Sequence, residues 1–502
     1  MRNKKGFTLI ELLAVIIILA VIALIATPIV LNVVDNARKS ANKDSAYGLL
    51  DSAKLYYMES LLDENKSLSG NLIDKINVSG RKPDSGTVYI NNKGEIALSV
   101  VYDKVCYIKN YSETDLTEAE DTKNCNISSL PSEPVSKLYK DTVLNGADPE
   151  LKDNLVAVTI NTDGTVKKAD IYSEWYNYTN KTWANAVLLN GNDTYSAGDT
   201  IEENKIKAYY VWIPRYKYQI FYDGVNDTTK QLINIEFENK NTTKSNSTTK
   251  DGWLTHPAFT FGDTELNGIW VGKFELTGDT TNPTIKPNVT SLTNQNVSTL
   301  FSTTQKLSTN SSMLKNIEWG AIAYLTTSIY GQGLTEVRIN NSSTYTTGCA
   351  STKENGSSSY SGCENAYSTI IGVLASTTGN ISGIYDMSGG AWEYVMGIME
   401  DSLNSHIPLI SSSGFIMFPE NKYYDIYKYG TSKIDYTRYH LGDATTETKS
   451  WNDDDPYFIY NMYPYLVRGG YYSYNNARAG IFAVGFENGI KNTVYSTRTV
   501  LR

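Results

Sequence analysis

The first long block of apolar positions runs from Leu12 to Leu31, interrupted only by Thr27 and Pro28. These 20 residues make about 30 Å of helix, enough to cross a bilayer. Glu11 stands at the entrance of the block, where a membrane carboxylate costs about 2.5–3.5 kcal/mol or more unless paired. Arg2, Lys4 and Lys5 precede it, so the positive-inside rule keeps this end cytoplasmic and sends the C-terminal mass outward. No Ala-x-Ala site ends the run, which passes into polar helix, so the segment reads as retained rather than as a secretory signal. Pro28 lacks an N–H and should loosen or kink the helix locally. Further on, Ala46, Leu49, Leu50, Ala53 and Tyr57 recur at helical spacing, an amphipathic stripe.

After the stripe the period changes. Val88-Tyr89-Ile90 and Ile96 to Val101 flank Asn91-Asn92-Lys93-Gly94 and predict strand, turn, strand. Pro131-Ser132-Glu133-Pro134 marks the end of a first module. A second stretch, 136–208, contains Leu155 to Ile160, a turn at Asp163-Gly164, and Trp175-Tyr176-Asn177-Tyr178, and reads as a small β-rich spacer. Glu238 to Lys250 and Ser351 to Gly362 are polar tracts expected to be solvated loops.

A chain of 502 residues is long enough for two or three domains. Its net charge of -9 and the absence of any Lys/Arg run argue against nucleic-acid binding, which needs cations along phosphate. The four cysteines form two close pairs, Cys106/Cys125 and Cys349/Cys363. In an exported chain these read as local disulfides; zinc is the weaker alternative because no Cys-x-x-Cys occurs. Tyr outnumbers Phe 38 to 12. Such a bias suits a contact surface, because Tyr offers large area with few rotors; an AT-rich genome yields the same bias.

Lys4-Lys5-Gly6-Phe7-Thr8-Leu9-Ile10-Glu11-Leu12-Leu13 closely resembles the processing signal of type IV prepilins and pseudopilins. The resemblance implies cleavage between Gly6 and Phe7 by a prepilin peptidase, then N-methylation of Phe7. Glu11 becomes the fifth mature residue and Pro28 the twenty-second, both where the family has them. Glu11 would then pair with the Phe7 amine of a neighbouring pilin subunit, and removal of either partner would strand a charge. In that family the amphipathic stripe packs on a small sheet.

From Tyr209 onward another series appears: Trp270 to Thr277, Leu314 to Tyr324, Gly383 to Val395, Val467-Arg468-Gly469-Gly470, and Ser496 to Val500. It resembles the formylglycine-generating-enzyme (sulfatase-modifying factor) family, whose fold is C-type-lectin-like. Gly390-Ala391 stands where that family usually has Asn-Val. The family's copper-binding cysteines lie near the C-terminus, and no cysteine follows Cys363. His256, His406 and His440 are scattered, His256 reading as a loop residue before Pro257, and no Gly-x-Ser-x-Gly elbow occurs. The motifs therefore read as fold-maintaining, with no catalysis and no cofactor expected. Asp453-Asp454-Asp455 with Asn452 offers oxygen donors of the kind calcium takes; the competing reading is a solvated acidic loop.

Tyr471, Tyr472, Tyr474, Asn475 and Asn476, followed by Asn488, Asn492 and Tyr495, form the candidate ligand surface. This segment resembles the hypervariable end of lectin-fold proteins diversified by retroelements. The whole reads as an α+β protein with a leader at 1–6, a pilin-like domain at 7–135 with its helix at 7–60, the spacer at 136–208, and a lectin-like head at 209–502. The expected function is a non-catalytic minor or tip pilin, displaying a head for an extracellular protein or glycan. The alternatives are a pseudopilin of a secretion or DNA-uptake machine and, discounted, a formylglycine-generating oxidase.

Overall fold

The computed structural model describes residues 8–61, 66, 68, 70–78, 80–91, 93–111, 113–119, 125–127, 138–152, 154–220, 230–247, 252–354, 356, 358–403, 411–474 and 478–502. Gly6, Phe7, Pro131 to Pro134, His406, Asn475 and Asn476 lie outside them. The chain is α+β and divides into two compact units, Met1–Lys137 and Leu138–Arg502.

The first unit is built on α1, Leu9–Ser60. Its apolar run forms one helix through Pro28, whose place in the helix leaves Leu24 without the usual N–H donor. The Thr27 hydroxyl donates to the Ala23 carbonyl one turn back. Every large apolar side chain from Leu9 to Val34 is exposed. Further along, Ala46, Leu49, Leu50, Ala53 and Tyr56 are buried, with Tyr57 half-buried beside them. They pack on a four-stranded antiparallel sheet: β1 (Ser85–Ile90), β2 (Ile96–Tyr102), β3 (Val105–Lys109) and β4 (Thr117–Ala119), in that order. Alternation points Val88 and Ile90 at the helix, where each fully buried aliphatic side chain contributes about 1.5–3 kcal/mol. Gly86 is obligatory: a Cβ there would lie 2.3 Å from the Ser99 carbonyl. The bond between Cys106 and Cys125 ties β3 to the chain that follows the sheet.

The second unit opens with β5 (Leu155–Ile160), β6 (Val166–Lys168), β7 (Asn185–Leu189) and β8 (Ile206–Pro214). These strands do not form a separate spacer. They continue, through β8, into a seven-stranded antiparallel sheet that also contains Gly268–Gly272, Thr499–Leu501 and Ser311–Met313. The boundary expected at residue 208 falls inside β8, which pairs with β7 along one edge and with Gly268–Gly272 along the other. A second sheet centres on Trp392–Met399, flanked by Asp425–Tyr427 and Tyr465–Gly469, with Gly480–Glu487 beyond the latter and Tyr495–Thr497 also pairing with Trp392–Tyr394. The helix Asn316–Thr326 is buried along its whole length. One apolar core runs through the entire unit.

Two ionisable positions expected in loops are interior. Glu238 is buried with its carboxylate 3.3 Å from Arg215 Nε and accepting from the Thr255 hydroxyl at 2.8 Å. His256 is fully buried against Tyr216, Tyr218, Phe259 and Tyr324. Its Nδ1 accepts from the Ala258 N–H, which starts the short 3-10 turn Pro257–Phe259. Burial pushes its imidazole down to about 3, so the ring is neutral.

Candidate functional sites

The helix N-terminus is closed by a capping box. Thr8 is the N-cap; its Oγ accepts from the Glu11 N–H at 3.3 Å. In return the Glu11 carboxylate accepts from the Thr8 N–H at 2.8 Å and the Thr8 hydroxyl at 2.9 Å. The negative side chain also sits in the first turn, where the helix dipole favours it. Glu11 thus has neutral donors within its own chain, and Thr8 is the residue that pattern reading missed. Its signal was present: Thr three positions before Glu is the capping-box spacing.

In the second unit the recurring motifs converge on a buried cluster. Glu275, Asp386 and Glu393 are all inaccessible, with Arg498 among them. The Arg498 guanidinium forks onto Glu393, Nη2 to Oε1 at 2.6 Å and Nε to Oε2 at 3.1 Å. It also donates to the Gly272 and Tyr385 carbonyls, each at 2.8 Å. Burial pushes the Glu393 carboxyl up to about 7, with Arg498 opposing. Burial, and then the charges of Asp386 and Glu393, push Glu275 well above the usual carboxylate range. Glu275 accepts from the Ser291 hydroxyl and, at 2.9 Å, from the Ala391 N–H. Asp386 sits at φ 62° and accepts from the Gly348 N–H and Asn340 Nδ2, both at 2.8 Å, groups far along the chain rather than neighbours. Gly390 has φ 69°, and a Cβ there would lie 2.5 Å from Glu275 Oε1. Gly469 and Gly470 also take positive φ, 86° and 78°.

The tyrosine segment lies directly over this cluster: the Tyr472 N–H donates to the Gly390 carbonyl at 2.9 Å. Tyr471 packs on Tyr472 and Tyr474, with ring centroids 5.4 and 4.2 Å apart. Tyr345 joins the group against Tyr472 at 5.3 Å, and Arg478 lies 4.2 Å over the Tyr474 ring. These two were not expected; Tyr345 is remote in sequence and left no local signal. All four tyrosines are half-buried, and Ser473 and Arg478 are exposed. Burial pushes the Tyr345 phenol up to about 12, so it stays neutral and can both donate and accept.

The remaining candidates stand beside this group. Tyr474 reaches Trp392 at 6.1 Å, and Tyr495 pairs with Trp392 along the backbone. Tyr495 packs on Tyr394 and donates to Glu487 at 2.7 Å. Asn488 and Asn492 use their side-chain oxygens to accept from the N–H groups of Ile490 and Val494, so both shape turns. Cys349 and Cys363 are bonded at the base of the polar tract between them.

The acidic run is not a solvated loop. Asp453 is exposed, whereas Asp454 turns inward to accept from the Phe482 N–H at 2.9 Å. Asp455 lies 3.3 Å from Arg478 Nε. The three carboxylates have separate surroundings, and among the described residues no three His, Cys, Asp or Glu side chains gather as a metal site.

Residues 1–27 match the family described as the prokaryotic N-terminal methylation motif. The match indicates a type IV pilin/pseudopilin-like protein: the motif implies prepilin peptidase and other pilin subunits as partners, and with the apolar start of α1 it fits membrane anchoring. No curated protein matches the chain.

Proposed function

We propose that this chain is a non-catalytic minor or tip pilin whose second unit is a ligand-binding head held outside the cell. The carrying observation is the pairing of a methylation motif and an exposed apolar helix with a 365-residue unit, Leu138 to Arg502, that bears the tyrosine surface. A head of that size would crowd a close-packed fibre, which favours the tip. The motif series from Trp270 to Val500 supports a lectin-like architecture of the formylglycine-generating-enzyme type. The burial of Glu275, Asp386, Glu393 and Arg498, with Arg498 forked onto Glu393, supports a structural role for those motifs. The positive charges before the helix support an N-terminus held inside.

The test is immunogold labelling of the second unit on sheared fibres, together with cell attachment by a Tyr471→Ala/Tyr472→Ala variant. Label at fibre ends and reduced attachment support the proposal. Uniform shaft labelling refutes the tip position. Label confined to the cell envelope with normal attachment favours a pseudopilin of a secretion or uptake machine.

A further inference from the structure

A cleft of about 380 Å³ opens on the second unit, well away in sequence from the tyrosine segment. One wall is the end of β5, residues 158–160, with Trp175 and Trp183; the other is the loop 379–382. Its size falls in the range of small-molecule pockets, roughly 300–1,000 Å³.

The walls are held rigidly. Trp183 N–H donates to Ser382 Oγ at 2.9 Å, and its indole N–H donates to the Tyr330 carbonyl at 2.8 Å. Asn185 Nδ2 bridges the carbonyls of Trp183 and Ser382 at 2.9 and 2.8 Å. Asn380 Oδ1 accepts from the Ser382 hydroxyl at 2.7 Å, and its Nδ2 donates to the Lys181 carbonyl at 2.9 Å. Behind them the fully buried Lys273 places its Nζ within hydrogen-bond distance of three acceptors: Asn185 Oδ1, and the Ile381 and Gly383 carbonyls, at 2.9, 2.6 and 2.8 Å. Burial holds this amine well below the usual lysine range, and its Nζ is committed to the wall rather than to the cleft.

The lining decides the ligand class. It carries no ionisable side chain. A charged ligand would lose its hydration with no countercharge, which is strongly unfavourable. A pure hydrocarbon would press against the hydroxyls of Thr159, Thr162 and Thr182, which make no side-chain hydrogen bond among the described residues. A neutral sugar matches both halves of the lining: its C–H face suits Trp175, Ile160 and Val373, and its hydroxyl rim suits the threonines. We propose that this cleft binds a neutral hexose unit, as a second site separate from the tyrosine surface.

The test uses the full chain in detergent micelles and saturation-transfer NMR with the methyl glycosides of glucose, galactose, mannose and N-acetylglucosamine, and with sialic acid. At least one neutral glycoside should take up saturation. Thr159→Val/Thr182→Val should weaken that glycoside about tenfold, the order expected for lost hydroxyl contacts, with the denaturation midpoint unchanged. If that double variant does not fold, Thr162→Val alone should give a smaller loss. Tyr472→Ala should leave the affinity as it was, so failure here is distinct from failure of the adhesive reading. Silence from all four glycosides, equal binding of sialic acid, or full affinity in the folded threonine variants would overturn the proposal.

Discussion

Replacing Arg498 by Met tests whether the Glu275, Asp386, Glu393 and Arg498 cluster of the second unit serves the fold. Arg498 and Glu393 are both wholly inaccessible, so their pairing is not screened by solvent. The substitution keeps apolar bulk but removes two bonds to Glu393 and two to the Gly272 and Tyr385 carbonyls. Breaking a buried pair from one side costs about 3–5 kcal/mol, a large share of the roughly 5–15 kcal/mol that holds a domain together. All eight tryptophans lie between Trp175 and Trp451, so intrinsic fluorescence in a urea titration reads this unit. The loss should depend on pH with a definite sign. Glu393 titrates near 7 when folded, above the usual carboxylate value, so it is mostly neutral at pH 5 and charged at pH 8. Removing Arg498, which opposes burial, pushes this carboxyl higher still, so at pH 8 the variant must either bury an unpaired charge or hold a proton against the solution, and Arg498→Met should destabilise more there than at pH 5. Glu393→Gln added to Arg498→Met should recover part of the loss at pH 8. A loss below about 1 kcal/mol, or equal losses at the two pH values, would refute the reasoning.

At the helix start, Glu11→Ala should insert in the membrane but fail to enter fibres, whereas Thr8→Val should reduce entry partially and Thr8→Ser should behave as the parent; fractionation and fibre blots read all three. Cys349→Ser/Cys363→Ser should cost about 3 kcal/mol, the chain-entropy value for a loop of this size, and an unchanged fluorescence midpoint would contradict it. Glu447, pushed up to about 7 by burial, is neutral in the fold at low pH; its stabilising contribution is complete below the ordinary carboxylate value and lost as pH rises through about 7. His256, pushed down to about 3, contributes fully above about 6.5 and loses that contribution as pH falls. Between pH 5 and 7 the two oppose each other, so Glu447→Gln should flatten the decline in urea midpoint with rising pH, and His256→Phe should steepen it.

The parts of the molecule that could be read along the chain are those whose causes are local. An unbroken apolar run needs no partner to be recognised, and the stripe from Ala46 to Ala53 declares its own helix face. Only its end slipped, because Tyr56 takes the buried place that periodicity assigned to Tyr57, whose ring instead meets Gly94 of the turn. The strands on either side of that turn, and both cysteine pairs, likewise depend on separations short enough to see. Errors begin where a residue's partner lies far along the chain. Composition assigns Glu238 to a polar tract, but Arg215 draws it inside. Pro257 suggests a loop at His256, but four aromatic rings enclose it. The spacer boundary at 208 falls inside β8 for the same reason, since β8 joins β7 to a strand that begins only at residue 268. Tyr345 completes the tyrosine surface from a remote segment. A polar residue between turn-formers is therefore poor evidence of exposure in a sheet assembled from distant strands. What decides its burial is whether a partner of complementary charge or shape arrives from elsewhere, and single-chain pattern carries no term for that arrival.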